Sequence, residues 1–199
     1  MKKTVVLVFL VFSISFCTSF AQSSSTSINK KQPTLSVHFI LNDYRTAQMI
    51  KNSSLSEVLI KDDISKFTEM SPGLSIAYFK GISDHVDFMA TFGGSFAKYE
   101  FKNGRSERSE KLLLEVDANV NVKLLPDNYR VTPYVTAGVG TSLYGAHYGA
   151  YIPLGLGLQF RLGEDAFLFT NMQYRTGITE FTNNHFNYSI GFGAPLGAK

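Results

Sequence analysis

Cysteine is almost missing from this chain: its 199 residues contain one, Cys17. A lone thiol excludes a disulfide framework and every zinc or redox site built on paired cysteines. Tryptophan is absent altogether. Neither sign of charge dominates, with 19 Lys+Arg against 16 Asp+Glu and a formal net charge of +3. That balance is too mild and too mixed for a nucleic-acid surface. Past the N-terminus no stretch of 18 consecutive apolar residues occurs, so no spanning helix is expected. His38, His85, His147 and His185 show no HExxH pattern or close metal spacing, and neither a metal nor a cofactor is expected. Low-complexity tracts are missing too, and a chain that is 44% hydrophobic and 18% charged suits one ordinary domain.

The first 21 residues carry an address. Met1-Lys2-Lys3 precedes a mostly apolar run from Val5 to Phe16, and Ser19 and Ala21 occupy the −3 and −1 positions ahead of Gln22. These are the three regions of a secretory signal peptide, with cleavage expected after Ala21. Lipidation at Cys17 would want a small residue before it, and the bulky Phe16 stands there instead. Cleavage removes that cysteine, which suits an oxidising compartment.

From Thr34 onward the chain alternates with period two. Leu112 to Leu124 is the clearest case: Leu112, Leu114, Val116, Ala118, Val120, Val122 and Leu124 share one face, and Glu115, Asp117, Asn119, Asn121 and Lys123 share the other. A helix would scatter those charges around its circumference, so the segment reads as a strand. Comparable strands fall at about 34–43, 73–81, 85–101, 110–125, 131–142, 150–162, 166–175 and 185–194. Eight is an even number, as an antiparallel up-and-down barrel requires. Short connections (Gly-Ile-Ser-Asp, Pro-Asp-Asn-Tyr, Gly-Glu-Asp) alternate with longer ones at 44–72, 102–109, 143–149 and 176–184, the pattern of turns on one rim and loops on the other.

Alternation alone leaves open which face is outside. A soluble lipocalin-like barrel, carrying an apolar ligand in the periplasm, has the same strand number with its apolar face inward. Several strands long enough to cross a bilayer at a tilt favour the inverted arrangement. So do Gly138, Gly140, Gly155, Gly157, Gly191 and Gly193 on the polar faces, because a narrow lumen needs small residues and a solvated surface does not. Tyr78, Tyr174 and Tyr188 on the apolar face suit an interfacial belt. Pro133 and Pro153 oppose the reading, since each deletes a ladder hydrogen bond.

The segments Ser71–Gly81, Thr132–Gly140 and Phe186–Phe192 resemble the eight-stranded outer-membrane β-barrel superfamily, the porin-like or outer-membrane-protein-A-type barrels found in the Bacteroidota. The last of these, with aromatic or apolar residues at every second position, looks like the assembly signal of such proteins. The resemblance implies an all-β, eight-stranded antiparallel up-and-down transmembrane barrel in the outer membrane. It implies outer-membrane lipid, lipopolysaccharide and, during insertion, the barrel-assembly machinery as partners. A monomer with no enzymatic activity, contributing to envelope integrity or surface interaction, is the expected role. The expected organisation is a signal peptide at 1–21, a periplasmic N-terminal tail at 22–33, the barrel at 34–195 and a C-terminal tail at 196–199. Larger relatives append a peptidoglycan-binding domain after the barrel, and no such role is carried over to this chain.

Six charged residues, Asp87, Glu115, Asp117, Lys123, Arg161 and Arg175, fall on lumen-facing positions. Charges in a narrow lumen are costly unless paired, so a salt-bridge network is expected, with Asp87 opposite Lys123 or Leu124 and with Glu115 and Asp117 facing Gly138 and Gly140. The alternative is a gated pore lined by the same charges. His185, Asn187 and Ser189 share the lumen face beside Arg175. Some outer-membrane barrels are lipid A-modifying enzymes with a Ser/His/acid set, but the spacing and face here suit lumen hydrogen bonding better. In the 44–72 loop Ser54-Leu-Ser-Glu57 is a capping-box pattern, expected to start a short helix over the barrel mouth. The mixed-sign stretch 102–111 could meet lipopolysaccharide phosphates, although a solvated loop is the plainer expectation.

Overall fold

Alternation dictates the architecture, and the direction in which it is resolved is the informative part. The structure, a computed structural model, describes residues 30–60, 64–97, 110–163 and 166–197. The expected signal peptide, the tail up to residue 29, residues 98–109 and the last two residues lie outside them. Eight strands run in chain order: β1 (Thr34–Asp43), β2 (Ser71–Gly81), β3 (Val86–Ala97), β4 (Lys111–Lys123), β5 (Val131–Tyr144), β6 (His147–Leu162), β7 (Ala166–Gly177) and β8 (His185–Pro195). Each pairs antiparallel with its neighbours, and β1 pairs with β8 from Thr34↔Pro195 to Asp43↔Phe186, closing the barrel.

Polarity is inverted relative to a water-soluble protein. Along β4 the side chains of Glu115, Asp117, Asn119, Asn121 and Lys123 are buried, while Leu112, Val116, Val120 and Val122 are exposed. The same holds around the wall, where Val139, Leu156 and Phe192 each keep 65% of their surface open. A lipocalin-like carrier needs the opposite orientation, so the soluble apolar-ligand reading is overturned. Pro153 falls at a break in the β5–β6 ladder, whereas Pro133 stays within it, opposite Leu158. The β5–β6 ladder runs to Ala137↔Leu154, resumes at Gly140↔Tyr151, and skips the positions opposite Pro153 and Ile152.

Two connections differ from the sequence expectation. Instead of a loop at 143–149, β5 and β6 continue to Tyr144↔His147 and are joined by the two-residue turn Gly145–Ala146. Gly145 sits at φ +59°, open to glycine at no steric cost, which permits so tight a reversal. In the first long loop a helix not foreseen, α1 (Tyr44–Asn52), precedes the expected one, α2 (Leu55–Ile60). The carboxylate of Asp43 caps α1 by accepting from Thr46 N–H at 3.0 Å, and Ser54 Oγ caps α2 by accepting from Glu57 N–H at 3.2 Å. The helical segment lies on the loop-side mouth: Ala47 and Val58 are buried, and the Tyr44 ring lies 4.8 Å from that of His185 inside the barrel. A single 3₁₀ turn, Phe67–Glu69, leads back to β2, with the Glu69 carboxyl held below the usual range by Lys66 N–H and the Arg45 guanidinium.

Candidate functional site

An eight-stranded barrel encloses little more than its own side chains, so whatever this one does internally depends on how its lumen is filled. The lumen divides into two polar clusters separated by an aromatic layer. Nearer the helical cap, Arg175 on β7 donates to Glu115 Oε2 at 2.7 Å and to Asp117 Oδ2 at 3.2 Å across the barrel on β4. Its Nε and Nη2 also donate to Gln173 Oε1, each at 3.3 Å. Tyr151 on β6 donates its hydroxyl to Asp117 at 3.1 Å and offers its ring face to the guanidinium, 5.1 Å away. Asn119 Nδ2 donates to the remaining oxygen of Asp117.

Glycine makes this packing possible. Asp117 pairs with Gly140, as expected, whereas Glu115 pairs with Ser142 and Gly138 with Asn119. A Cβ on Gly140 would fall 2.4 Å from the Tyr151 ring, and one on Gly157 would fall 2.2 Å from the Tyr134 ring. In both pairs a tyrosine on one strand of the β5–β6 hairpin covers a glycine directly opposite on the other. Such rings restore the side-chain contact that a glycine lacks. Gly157→Val should therefore destabilise the refolded barrel by about 1–3 kcal/mol through overpacking. Gly163→Val, with no neighbour within 4 Å among the described residues, meets no such clash there and serves as the comparison, although its φ of +74° adds backbone strain. Equilibrium unfolding in denaturant reads both, and an unchanged midpoint for Gly157→Val would remove the ring-over-glycine account.

The second cluster lies at the end carrying the short turns. Lys123 on β4 contacts Asp87 Oδ1 at 2.9 Å and Asp127 Oδ2 at 2.7 Å. Register puts Asp87 opposite Asn121 rather than Lys123 or Leu124, so the ion pair is diagonal. Lys31, two residues before Pro33 and outside the strands, reaches in to donate to Asp87 Oδ2 at 2.7 Å and to Gln159 Oε1. Gln159 in turn donates to Asp127 Oδ1 at 2.9 Å. Between the clusters lie Phe79, Phe169 and His38, with the two phenyl rings stacked at 4.4 Å and His38 bonded to Ser36 Oγ at 2.7 Å. The cavity left near mid-lumen, bordered by His38, Met89, Tyr134 and Arg175, measures about 20 Å³. That is room for a water molecule or so and not for a solute.

Five of the six charged candidates are thus buried in the lumen, in two groups. Arg161 is the exception. It occupies the lumen-facing parity of β6 but lies at the rim, exposed, with its Nε donating back to Gly163 O at 3.1 Å. Parity assigns a face and says nothing of depth. Lys31, Asp127, Gln159 and Tyr151 were not singled out from the sequence. Gln159 and Tyr151 were legible, since they continue the inward series of Gly155 and Gly157, whereas Lys31 lies in a segment without periodicity.

The polar trio of β8 is held in the wall rather than poised for chemistry. His185 directs Nδ1 at Asn183 O, 3.2 Å away, and Nε2 at Glu115 Oε1, 3.4 Å away. Asn187 donates to Asn42 at 2.6 Å, and Asn42 donates to Ser95 Oγ at 3.0 Å. Both His185 ring nitrogens therefore face acceptors other than Ser189, which borders the central cavity. A nucleophile needs a base within hydrogen-bond reach. No group of three or more His, Cys, Asp or Glu residues suited to a metal ion occurs among the described residues.

No protein-family model matches the chain, and no curated protein matches it in sequence. Solved structures do match. Neisserial surface protein A superposes with a TM-score of 0.53 at 13% identity, covering 84% of this chain and 99% of that one. The N-terminal β-barrel domain of Pseudomonas aeruginosa OprF has a TM-score of 0.48 at 15% identity, covering 82% and 97%. Ail, the attachment invasion locus protein of Yersinia pestis, has 0.49 at 12% identity, covering 82% and 99%. At such identities the likeness to the neisserial protein establishes the fold: this chain is a closed, eight-stranded antiparallel barrel of the kind found in outer-membrane proteins.

Proposed function

We propose that this protein is exported, inserts into the outer membrane as a monomer, and acts there as a non-enzymatic, non-conducting barrel that supports envelope integrity and presents its helical cap and loop rim for surface interaction. One observation carries the reading: aliphatic and aromatic side chains cover the outside of a closed wall while ionised groups are packed within it. Water cannot reward that arrangement, and a hydrocarbon solvent can, because closure leaves no backbone edge to satisfy. The outward Tyr78, Tyr174 and Tyr188 are half-buried and suited to the membrane interface. Lipopolysaccharide is the natural neighbour of the rim.

Two measurements on detergent-refolded protein test the proposal. Unboiled protein should migrate differently from boiled protein in SDS, since a closed barrel resists the detergent until heated. In planar bilayers the wild type should show no steady conductance, because paired side chains and the cap fill the lumen. Solubility without detergent would defeat the membrane reading, and stable open channels would defeat the plugged one. A change in lipid A mass on expressing the protein would defeat the non-enzymatic one.

A further inference from the structure

The short-turn end of the lumen has the composition of a ligand site, and a piece of the chain occupies it. Residues 30–33 do not belong to the barrel ladder but are strapped to its rim. Gly81 N–H donates to Lys31 O at 3.1 Å, and Leu196 N–H donates to Pro33 O at 2.6 Å. From that strap the Lys31 side chain turns inward until only 1% of it remains exposed. Its ammonium meets two kinds of partner. On one side are oxygens: Asp87 Oδ2 at 2.7 Å, Gln159 Oε1, and Asp127 Oδ1 at 3.8 Å. On the other are three aromatic faces, Phe79, Phe167 and Phe169, with centroids 5.4, 5.5 and 5.3 Å from Nζ.

All three rings lie within the distance at which an aromatic face attracts a cation. Faces of this kind accommodate methylenes and a diffuse positive charge, and the carboxylates and amide accept N–H bonds. A bare metal ion would want a full shell of oxygen ligands and gains little from phenyl rings. Charge points the same way. With Lys31 in place two ammonium groups face two carboxylates, whereas without it Lys123 alone faces Asp87 and Asp127. The site is then short of one positive charge, at a depth where an uncompensated carboxylate is costly.

We propose that this end of the lumen is a binding site for a primary alkylammonium, filled in the resting protein by Lys31 and open to an external alkylammonium when that side chain is removed or withdrawn. The proposal goes beyond the envelope role and is independent of it. Complementarity resides in the cage of Phe79, Phe167, Phe169, Asp87 and Asp127, and not in the covalent attachment of its occupant.

The test is rescue of the full-length Lys31→Ala variant, refolded in detergent, by n-butylammonium, an ammonium on the four-carbon stem of a lysine side chain. The unfolding midpoint of Lys31→Ala should fall below that of the wild type. n-Butylammonium should restore at least half of the loss, saturably, while sodium chloride at equal ionic strength and uncharged n-butanol should not. Lys31→Met, whose side chain still fills the space between the rings, should be destabilised and should stay unresponsive. A wild-type midpoint in Lys31→Ala, no response to n-butylammonium, an equal response to sodium chloride, or an equal response in Lys31→Met each overturns the proposal. Should Lys31→Ala not refold alone, the refolding yield with n-butylammonium is read the same way: recovery supports the site, and none overturns it.

Discussion

Arg175→Met should lower the unfolding free energy by about 3–5 kcal/mol, the range for breaking a buried ion pair by removing one partner. The guanidinium binds Glu115 and Asp117 at once, and both carboxylates are almost completely buried. Methionine keeps much of the stem beside Tyr151, so lost packing contributes little and the stranded charges dominate. Denaturant titration in detergent micelles measures the change. A companion variant separates charge from volume. Adding Glu115→Gln and Asp117→Asn to Arg175→Met removes the whole charge set, and stability should return most of the way to wild type. A single-variant loss under about 1 kcal/mol, the size typical of exposed pairs, would mean the cluster is solvated and the lumen wetter than its geometry implies.

Asp87→Asn should act on a similar scale at the other end, again about 3–5 kcal/mol. Asp87 places one oxygen on Lys123 and the other on Lys31, with 1% of its side chain exposed. The amide leaves two ammonium groups facing Asp127 alone. Asp127→Asn should cost less, because that carboxylate sits at 10% exposure near the rim and water can replace part of its role. Asp87→Asn combined with Lys123→Met should lose less than the sum of the two single losses. A coupling above about 1 kcal/mol is expected for residues in direct contact. Strict additivity would refute the diagonal pairing.

Much of this architecture is legible in the sequence. The strand positions follow from alternation, which puts the first strand at its observed limits of Thr34 and Asp43. Strand length, the lumen-facing glycines and the outward tyrosines together favour the inverted face. The features that the sequence hides are hidden for physical reasons. Gly145 and Gly149 together resemble loop chemistry, yet Gly149 is a wall residue whose missing Cβ leaves space for Thr182 Oγ1, at 1.7 Å from where that Cβ would lie. The α1 helix takes its cap from the last residue of β1, so its start signal was hidden inside a strand. Asn187 belongs to the polar face read from the sequence, but its partner Asn42 carries no signal of its own until closure brings β8 beside β1. Lys31 could not be identified, because its role depends on where a non-periodic segment meets a rim that exists only in three dimensions.

The seam between β1 and β8 has a kinetic consequence. Its ladder joins Thr34 to Pro195, so the first strand finds one of its two partners only after the last has been made. Bringing ends so distant together costs about 4–5 kcal/mol in chain entropy beyond a constant term, before a single seam bond compensates. Formation of the barrel should therefore be late, cooperative and slow relative to its local hairpins. The strap at residues 30–33 bonds to β2 on one side and to Leu196, just past β8, on the other. It spans the last joint to form, so the Lys31 side chain should take its place only as the cylinder shuts, and its ion pairs with Asp87 and Asp127 should register completion of the ring rather than guide it.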